Sequence, residues 1–131
     1  MKLLLDTHTF LWAVSKPSRL PTKARTAIEN QSNQAFVSAI SLWEITIKVR
    51  IGKLDLGWDD DLITAGLNAG IETLSLTPDE AATYDELAEP SHNDPFDRML
   101  IWQAIQRDLV LVSADPEFEK FKPFGLKLLW K

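Results

Sequence analysis

The 131-residue chain has no cysteine. That absence excludes a disulfide framework and any thiolate metal site, and it fits a protein of a reducing cytoplasm. No apolar run approaches the roughly 18–20 residues of a membrane span, so no membrane segment is expected. The opening residues, MKLLLDTHTFLWAV, look superficially like a secretion signal. Asp6 and His8 interrupt the run and no clean small-residue cleavage site follows, so the stretch reads as a folded strand and helix. Excess positive charge is missing too. A net charge of −5 argues against a protein that coats nucleic-acid backbone in general. It leaves room for a nuclease, because bound cations offset an acidic centre. Repeats, low-complexity tracts and linkers are also lacking. What is there is ordinary: 45% apolar and 25% charged residues, enough chain for one domain over residues 1–131 with a proper core.

Short apolar runs alternate with helical signals. Strands are expected at Lys2–Leu5, Ala35–Ser38, Ile71–Leu76 and Leu109–Val112, with an edge strand at Leu126–Trp130. Helices are expected from Thr9 to Val14, from a Thr22 cap to about Gln31, and from a Ser41 cap to about Arg50. Gly57 to Asp61 reads as a turn, followed by a helix to about Ala69. Thr77-Pro78-Asp79-Glu80 carries a cap, a first-turn proline and a glutamate at the third position, and starts a helix to about Ala88. Asp94, Pro95 and Asp97 repeat that pattern for a helix to about Arg107. Asp115-Pro116 begins a short helix. Apolar strands without polar alternation are covered on both faces. The expectation is a three-layer α/β/α domain around a short, mainly parallel sheet.

Open parallel sheets place their sites beyond the carboxyl ends of the strands. Asp6 follows the first strand, and Asp115 follows the fourth. Glu44 is expected in the first turn of the helix after the second strand. Asp94 and Asp97 begin the helix leading into the fourth. Five carboxylates from four segments thus converge on one edge. Like charges brought together repel, so a positive partner is expected. Oxygen ligands without cysteine favour a hard divalent cation, Mg²⁺ or Mn²⁺. Such ions suit phosphodiester hydrolysis, singly or as a pair about 3.5–4 Å apart.

Each residue also has a plain structural reading. Asp6 can finish a turn, Asp94 and Asp115 can cap helices, and Asp97 can serve the helix dipole. Glu44 stands four residues before Lys48 and can form a surface pair, although its neighbours Leu42, Trp43, Ile45 and Ile47 are apolar. His8 and His92 read as hydrogen-bonding turn residues, with ligation or acid/base work as the other option. Thr7 and Ser113 suit capping or a phosphate equally. Arg98 suits a phosphate or a neighbouring carboxylate. Lys48, Arg50 and Lys53 read as a solvated strip that can also touch RNA backbone. The five tryptophans read as core or interface residues, and no pattern marks them for base stacking.

Four segments together resemble the PIN domains of VapC-type toxins, the ribonuclease halves of bacterial type II toxin–antitoxin systems. They are LLLDTHTFLW (3–12), SAISLWEITIKVRIGKL (38–54), HNDPFDRMLIWQA (92–104) and LVSADPEF (111–118). The resemblance implies a Mg²⁺- or Mn²⁺-dependent endoribonuclease acting on RNA, often tRNA. The four-acid pattern of the family falls on Asp6, Glu44, Asp97 and Asp115, and Asp94 is a further acid of the DPFDR subgroup. The fourth motif has Ser113 where threonine is frequent. The resemblance also implies a cognate antitoxin protein lying across the acidic groove, a homodimer and a cytoplasmic location. Two alternatives remain. A phosphatase with an aspartate nucleophile wants a second aspartate two positions after Asp6, where His8 stands. A catalytically inactive PIN-fold module would bind RNA or a partner, with the acids serving as caps.

Overall fold

Leu3, Leu4 and Leu5 are all fully buried. Burying each contributes roughly 2 kcal/mol, and a strand that hides three successive leucines must be covered on both faces. The computed structural model, which describes residues 1–58 and 61–131, makes this strand β1 (Lys2–Leu5). After it come α1 (Thr7–Ser15), α2 (Thr22–Glu29), β2 (Gln34–Ser38) and α3 (Ala39–Arg50). Then follow α4 (Leu62–Asn68), β3 (Ile71–Leu74), α5 (Pro78–Ala82), α6 (Pro95–Gln106), β4 (Val110–Val112) and β5 (Lys127–Leu129). Short 3₁₀ segments occupy Pro17–Arg19, Tyr84–Glu86 and Pro116–Phe124. The strands form one sheet in the order β3-β2-β1-β4-β5, and every pair is parallel.

Leu4 packs with Leu100, Leu111, Phe118 and Phe121 on the face that α6 covers. Leu3 and Leu5 pack with Phe10, Ala24, Val37 and Val112 on the face that α1 and α2 cover. Alternation along β1 therefore builds two cores, and the expected α/β architecture holds. On the second face α4 approaches α1 closely. A Cβ on Gly66 would stand 3.2 Å from the Phe10 ring.

Element ends differ from expectation where a side chain makes a better cap. Asp6 accepts from the Thr9 N–H at 2.9 Å, so α1 begins at Thr7. Ser38 accepts from the Ile40 N–H at 3.1 Å, so α3 begins at Ala39 and Ser41 is left to face the interior. Thr22 is the first residue of α2 rather than its cap. The helix expected to reach Ala88 ends at Ala82. Beyond it Leu87 turns into the core, and its carbonyl accepts from Arg98 at 2.8 Å. The turn expected at 57–61 includes residues 59 and 60, which lie outside the described residues.

From β1 the chain moves to β2 and β3 on one side, then crosses to β4 and β5 on the other. The reversal opens a crevice at the carboxyl ends of β1 and β4. A buried polar network fixes α6 beside it. The Ser38 hydroxyl donates to Gln103 Oε1 at 2.6 Å, and Gln103 Nε2 donates to Glu80 Oε1 at 3.1 Å and to the Ser75 carbonyl at 3.2 Å. Arg107 grips both Glu80 oxygens, at 2.6 and 2.8 Å. Among the described residues, no buried side-chain polar atom lacks a partner.

Burial disfavours the charged form of Glu80, but hydrogen bonds from Arg107, the Thr77 N–H and Gln103 outweigh it and hold the carboxyl at about 2. A depressed folded value stabilises the fold above the ordinary carboxylate range, and that gain is lost as pH falls toward 2. Glu80→Gln is expected to cost about 2 kcal/mol at pH 7 by urea denaturation. The deficit should shrink between pH 4.5 and 2, and a deficit that ignores pH would refute the ion-pair account.

Candidate active site

Each carboxylate reaches the crevice because a local rule places it there. Asp6 ends β1 and caps α1, with its backbone N–H donating to the Val112 carbonyl of neighbouring β4 at 3.1 Å. Asp115 caps the 3₁₀ segment after β4 and accepts from the Glu117 N–H at 2.9 Å. Asp94 caps α6 through the N–H groups of Phe96 and Asp97. Asp97 then projects from the first turn of α6, and Glu44 from the second turn of α3. All five line one cleft of roughly 470 Å³.

Side-chain partners hold Glu44 and Asp97 in place. The Thr7 hydroxyl donates to Glu44 Oε1 at 2.6 Å, and Lys48 Nζ meets Glu44 Oε2 at 3.0 Å. Glu44 is only 7% exposed, so the alternative of a surface pair gives way to a buried carboxylate with a half-exposed ammonium. His92 Nε2 lies 3.1 Å from Asp97 Oδ2, and its ring stands edge-on to Phe118 at 5.6 Å.

The chain matches the PIN domain family over residues 3–122. It is 32% identical over 113 residues to Ribonuclease VapC22 of Mycobacterium tuberculosis, covering 86% of each chain. The chain belongs to the VapC-type PIN-domain family. Its fold is similar to that of DNA-bound VapBC from Salmonella typhimurium, with a TM-score of 0.68 and 21% identity over 98% of this chain and 97% of that one. It is likewise similar to VapBC2 from Rickettsia felis bound to a promoter DNA fragment, with a TM-score of 0.67 and 18% identity over the whole of both chains.

Several roles in this PIN domain become legible only in three dimensions. Arg98 pairs with no cleft acid among the described residues. Its guanidinium donates to the carbonyls of Leu87, Glu89 and His92 and lies 5.8 Å from the Tyr84 and Phe121 rings. It staples the loop that delivers His92 and Asp94. Thr7 holds Glu44, whereas Ser113 accepts from the Asp115 N–H in a turn. Lys48 leaves the expected basic strip and lines the cleft. Its four-residue spacing from Glu44 was the available signal. Gln103 carried none, because a glutamine within an apolar helix looks like a defect until its partners are seen.

Burial pushes the Asp97 carboxyl up to about 6. The His92 hydrogen bond opposes the rise, while the charges of Asp94 and Glu44 add to it. Among the described residues, no three acidic or histidine side chains stand close enough to form a ready-made cation site. The donors are all oxygens and one is held against its charge, which fits a hard divalent cation.

A folded value raised above 3.8 means that ionised Asp97 costs stability. The cost is absent below about pH 4, where the carboxyl is protonated folded or unfolded, and complete above about pH 6. In chelator, Asp97→Asn is therefore expected to be more stable than the parent at pH 8, by on the order of 2 kcal/mol. The gain should fade as pH falls from 6 to 4, as read by urea unfolding. A variant less stable at pH 8 would overturn the electrostatic account.

Proposed function

We propose that residues 1–131 form a single PIN domain that acts as a metal-dependent endoribonuclease, the toxin of a type II toxin–antitoxin pair. One observation carries this reading: carboxylates from four segments far apart in sequence share one cleft at the switch point of the sheet. The 32% identical relative is a ribonuclease by name. Asp6, Glu44, Asp97 and Asp115 would hold Mg²⁺ or Mn²⁺, with Asp94 at the exposed rim. When bound, such an ion offsets the carboxylate charge and supplies a Lewis acid that eases deprotonation of water.

The chain's own residues keep the acids aimed. Thr7 and Lys48 orient Glu44, His92 orients Asp97, and the α1 cap orients Asp6. Lys48 also brings positive charge to the cleft wall, where an RNA phosphate would lie. Water attacks phosphorus directly, so no covalent link to the protein forms. Transfer RNA belongs to the substrate class proposed.

A cognate antitoxin and a homodimer complete the reading, in the cytoplasm. Exposed Trp43, Val49, Ile51, Ile63 and Leu67 on and beside α3 and α4 support apolar protein contacts. Trp43 meets Phe96 edge-on at 5.3 Å, close to the acidic cleft. Among the described residues, no helix is long and apolar enough to cross a membrane. Two observations favour a second reading, an inactive module that binds RNA or a partner. Both Glu44 oxygens are already engaged, and no cation cluster is preformed among the described residues.

A cleavage assay on total RNA and tRNA separates the two. Cleavage is expected with Mg²⁺ or Mn²⁺ and not with chelator. Asp6→Asn and Asp97→Asn should each lose more than the roughly 10–100-fold that follows loss of an outer hydrogen bond to a metal ligand. Both variants should keep the parent circular-dichroism spectrum. Undiminished cleavage by folded variants would sink the assignment. RNA binding without cleavage in either metal would establish the inactive module.

A further inference from the structure

A second groove, of roughly 440 Å³, adjoins the acidic cleft. The two share the Ala114-Asp115-Pro116 turn as a common wall. Lys23 from the first turn of α2, Lys122 from the 3₁₀ segment and Lys131 beyond β5 border this groove, and Trp130 lines it. Lys122 is paired with Glu119 at 2.7 Å, an exposed pair worth little. Lys23 and Lys131 make no ion pair among the described residues. Asp115 and Glu119 also line the groove, so its three lysines outnumber its acids by one in a chain of net charge −5.

A row of aromatic rings connects the two spaces. The His8 and Trp12 ring centroids are 6.2 Å apart, and those of Trp12 and Trp130 are 6.1 Å apart. His8 and Trp12 line the acidic cleft, and Trp130 lines the lysine groove. Both tryptophans are half-buried, so each shows part of its ring to the wall. The continuity of the row depends on Trp130, which is 118 residues from Trp12 in the chain.

Lysines that follow a backbone, interleaved with rings that accept bases, are how proteins hold unpaired nucleic acid. A duplex keeps its base faces inside and has no use for the rings. An acidic peptide would use the lysines but not the aromatic row. We propose that this groove carries a single-stranded stretch of RNA past the acidic cleft, with phosphates on Lys23, Lys122 and Lys131 and bases against Trp12 and Trp130. The proposal rests on the ribonuclease reading and assigns to it the lysines and rings that hold the RNA at this side of the cut.

The test uses a fluorescent single-stranded RNA oligonucleotide and the same sequence as a duplex, with Mg²⁺, in an Asp97→Asn background that prevents hydrolysis. Anisotropy is expected to show tighter binding of the single strand. Trp130→Ala should weaken it about 5- to 10-fold and leave its salt dependence unchanged. Trp130→Phe should restore most of the loss and guards against a folding defect. Lys23→Ala combined with Lys131→Ala should weaken binding and reduce the slope of log Kd against log salt by about 1.4. Lys127→Ala removes an exposed lysine at the opposite, amino edge of the sheet, paired with Asp108, and should change neither. In the chain with native Asp97, the same groove variants should raise KM for RNA cleavage more than they lower kcat. Parent-like Kd and KM in the groove variants, with RNA still cut, would overturn the track and leave the nuclease reading standing. Weakened binding in those variants of a chain that cuts no RNA in any metal would do the reverse. Preference for the duplex, or binding of an acidic peptide but not of RNA, would also overturn the proposal.

Discussion

Mutual repulsion among carboxylates is the constraint around which this molecule is arranged. Left to itself, a flexible chain would keep Asp6, Glu44, Asp97 and Asp115 apart in water. The buried parallel sheet removes that freedom, because β1 and β4 are neighbours and their carboxyl ends open at the same point. The helices that follow inherit the direction. Each acid is then restrained by its own partners: the Thr9 N–H for Asp6, Thr7 and Lys48 for Glu44, His92 for Asp97 and the Glu117 N–H for Asp115. Packing energy from the two cores supports an arrangement that electrostatics opposes. Strain of this kind is commonly concentrated where chemistry is done.

Two acids in the same fold show how partners decide behaviour. Glu80 is buried, yet Arg107 and Gln103 satisfy it and its carboxyl is held at about 2. Burial raises the Asp97 carboxyl to about 6, because its one side-chain partner, His92, does not outweigh it and the charges of Asp94 and Glu44 add to the rise. Glu80 fastens α5 to α6 and keeps its charge through most of the pH range. Asp97 is ready to exchange its proton for another positive partner. Gln103 joins the two regions, since Ser38, its other partner, caps the helix that carries Glu44.

Family membership and residue roles rest on different grounds. The PIN family match spans residues 3–122 and settles which fold the chain shares. Solved relatives at 18–21% identity speak for that fold alone. Any chemistry must be argued from the cleft. The neighbouring lysine groove and its aromatic row show why: they depend on Lys23, Trp12, Trp130 and Lys131, which lie outside the acidic motif and meet only after folding.

Much of the frame was legible in the sequence. Apolar runs without alternation marked a sheet covered on both faces, and residues such as Leu3, Leu4 and Leu5 are buried accordingly. Strand-end aspartates and the Asp94-Pro95-Phe96-Asp97 helix start pointed to the carboxyl edge, because caps and strand ends obey rules that act within a few residues. Other features needed the tertiary structure. Ser38 displaced Ser41 as a cap, Arg98 closed on three main-chain carbonyls, Lys48 reached the cleft wall while staying half-exposed, and Trp12 and Trp130 came to line adjoining clefts. These outcomes depend on partners dozens of residues away or on a choice between equally good local donors. The sequence by itself determined where the chain bends, pairs and buries its leucines. Only the tertiary structure decided which polar side chains meet, because that meeting is set by packing across the sheet and not by spacing along it.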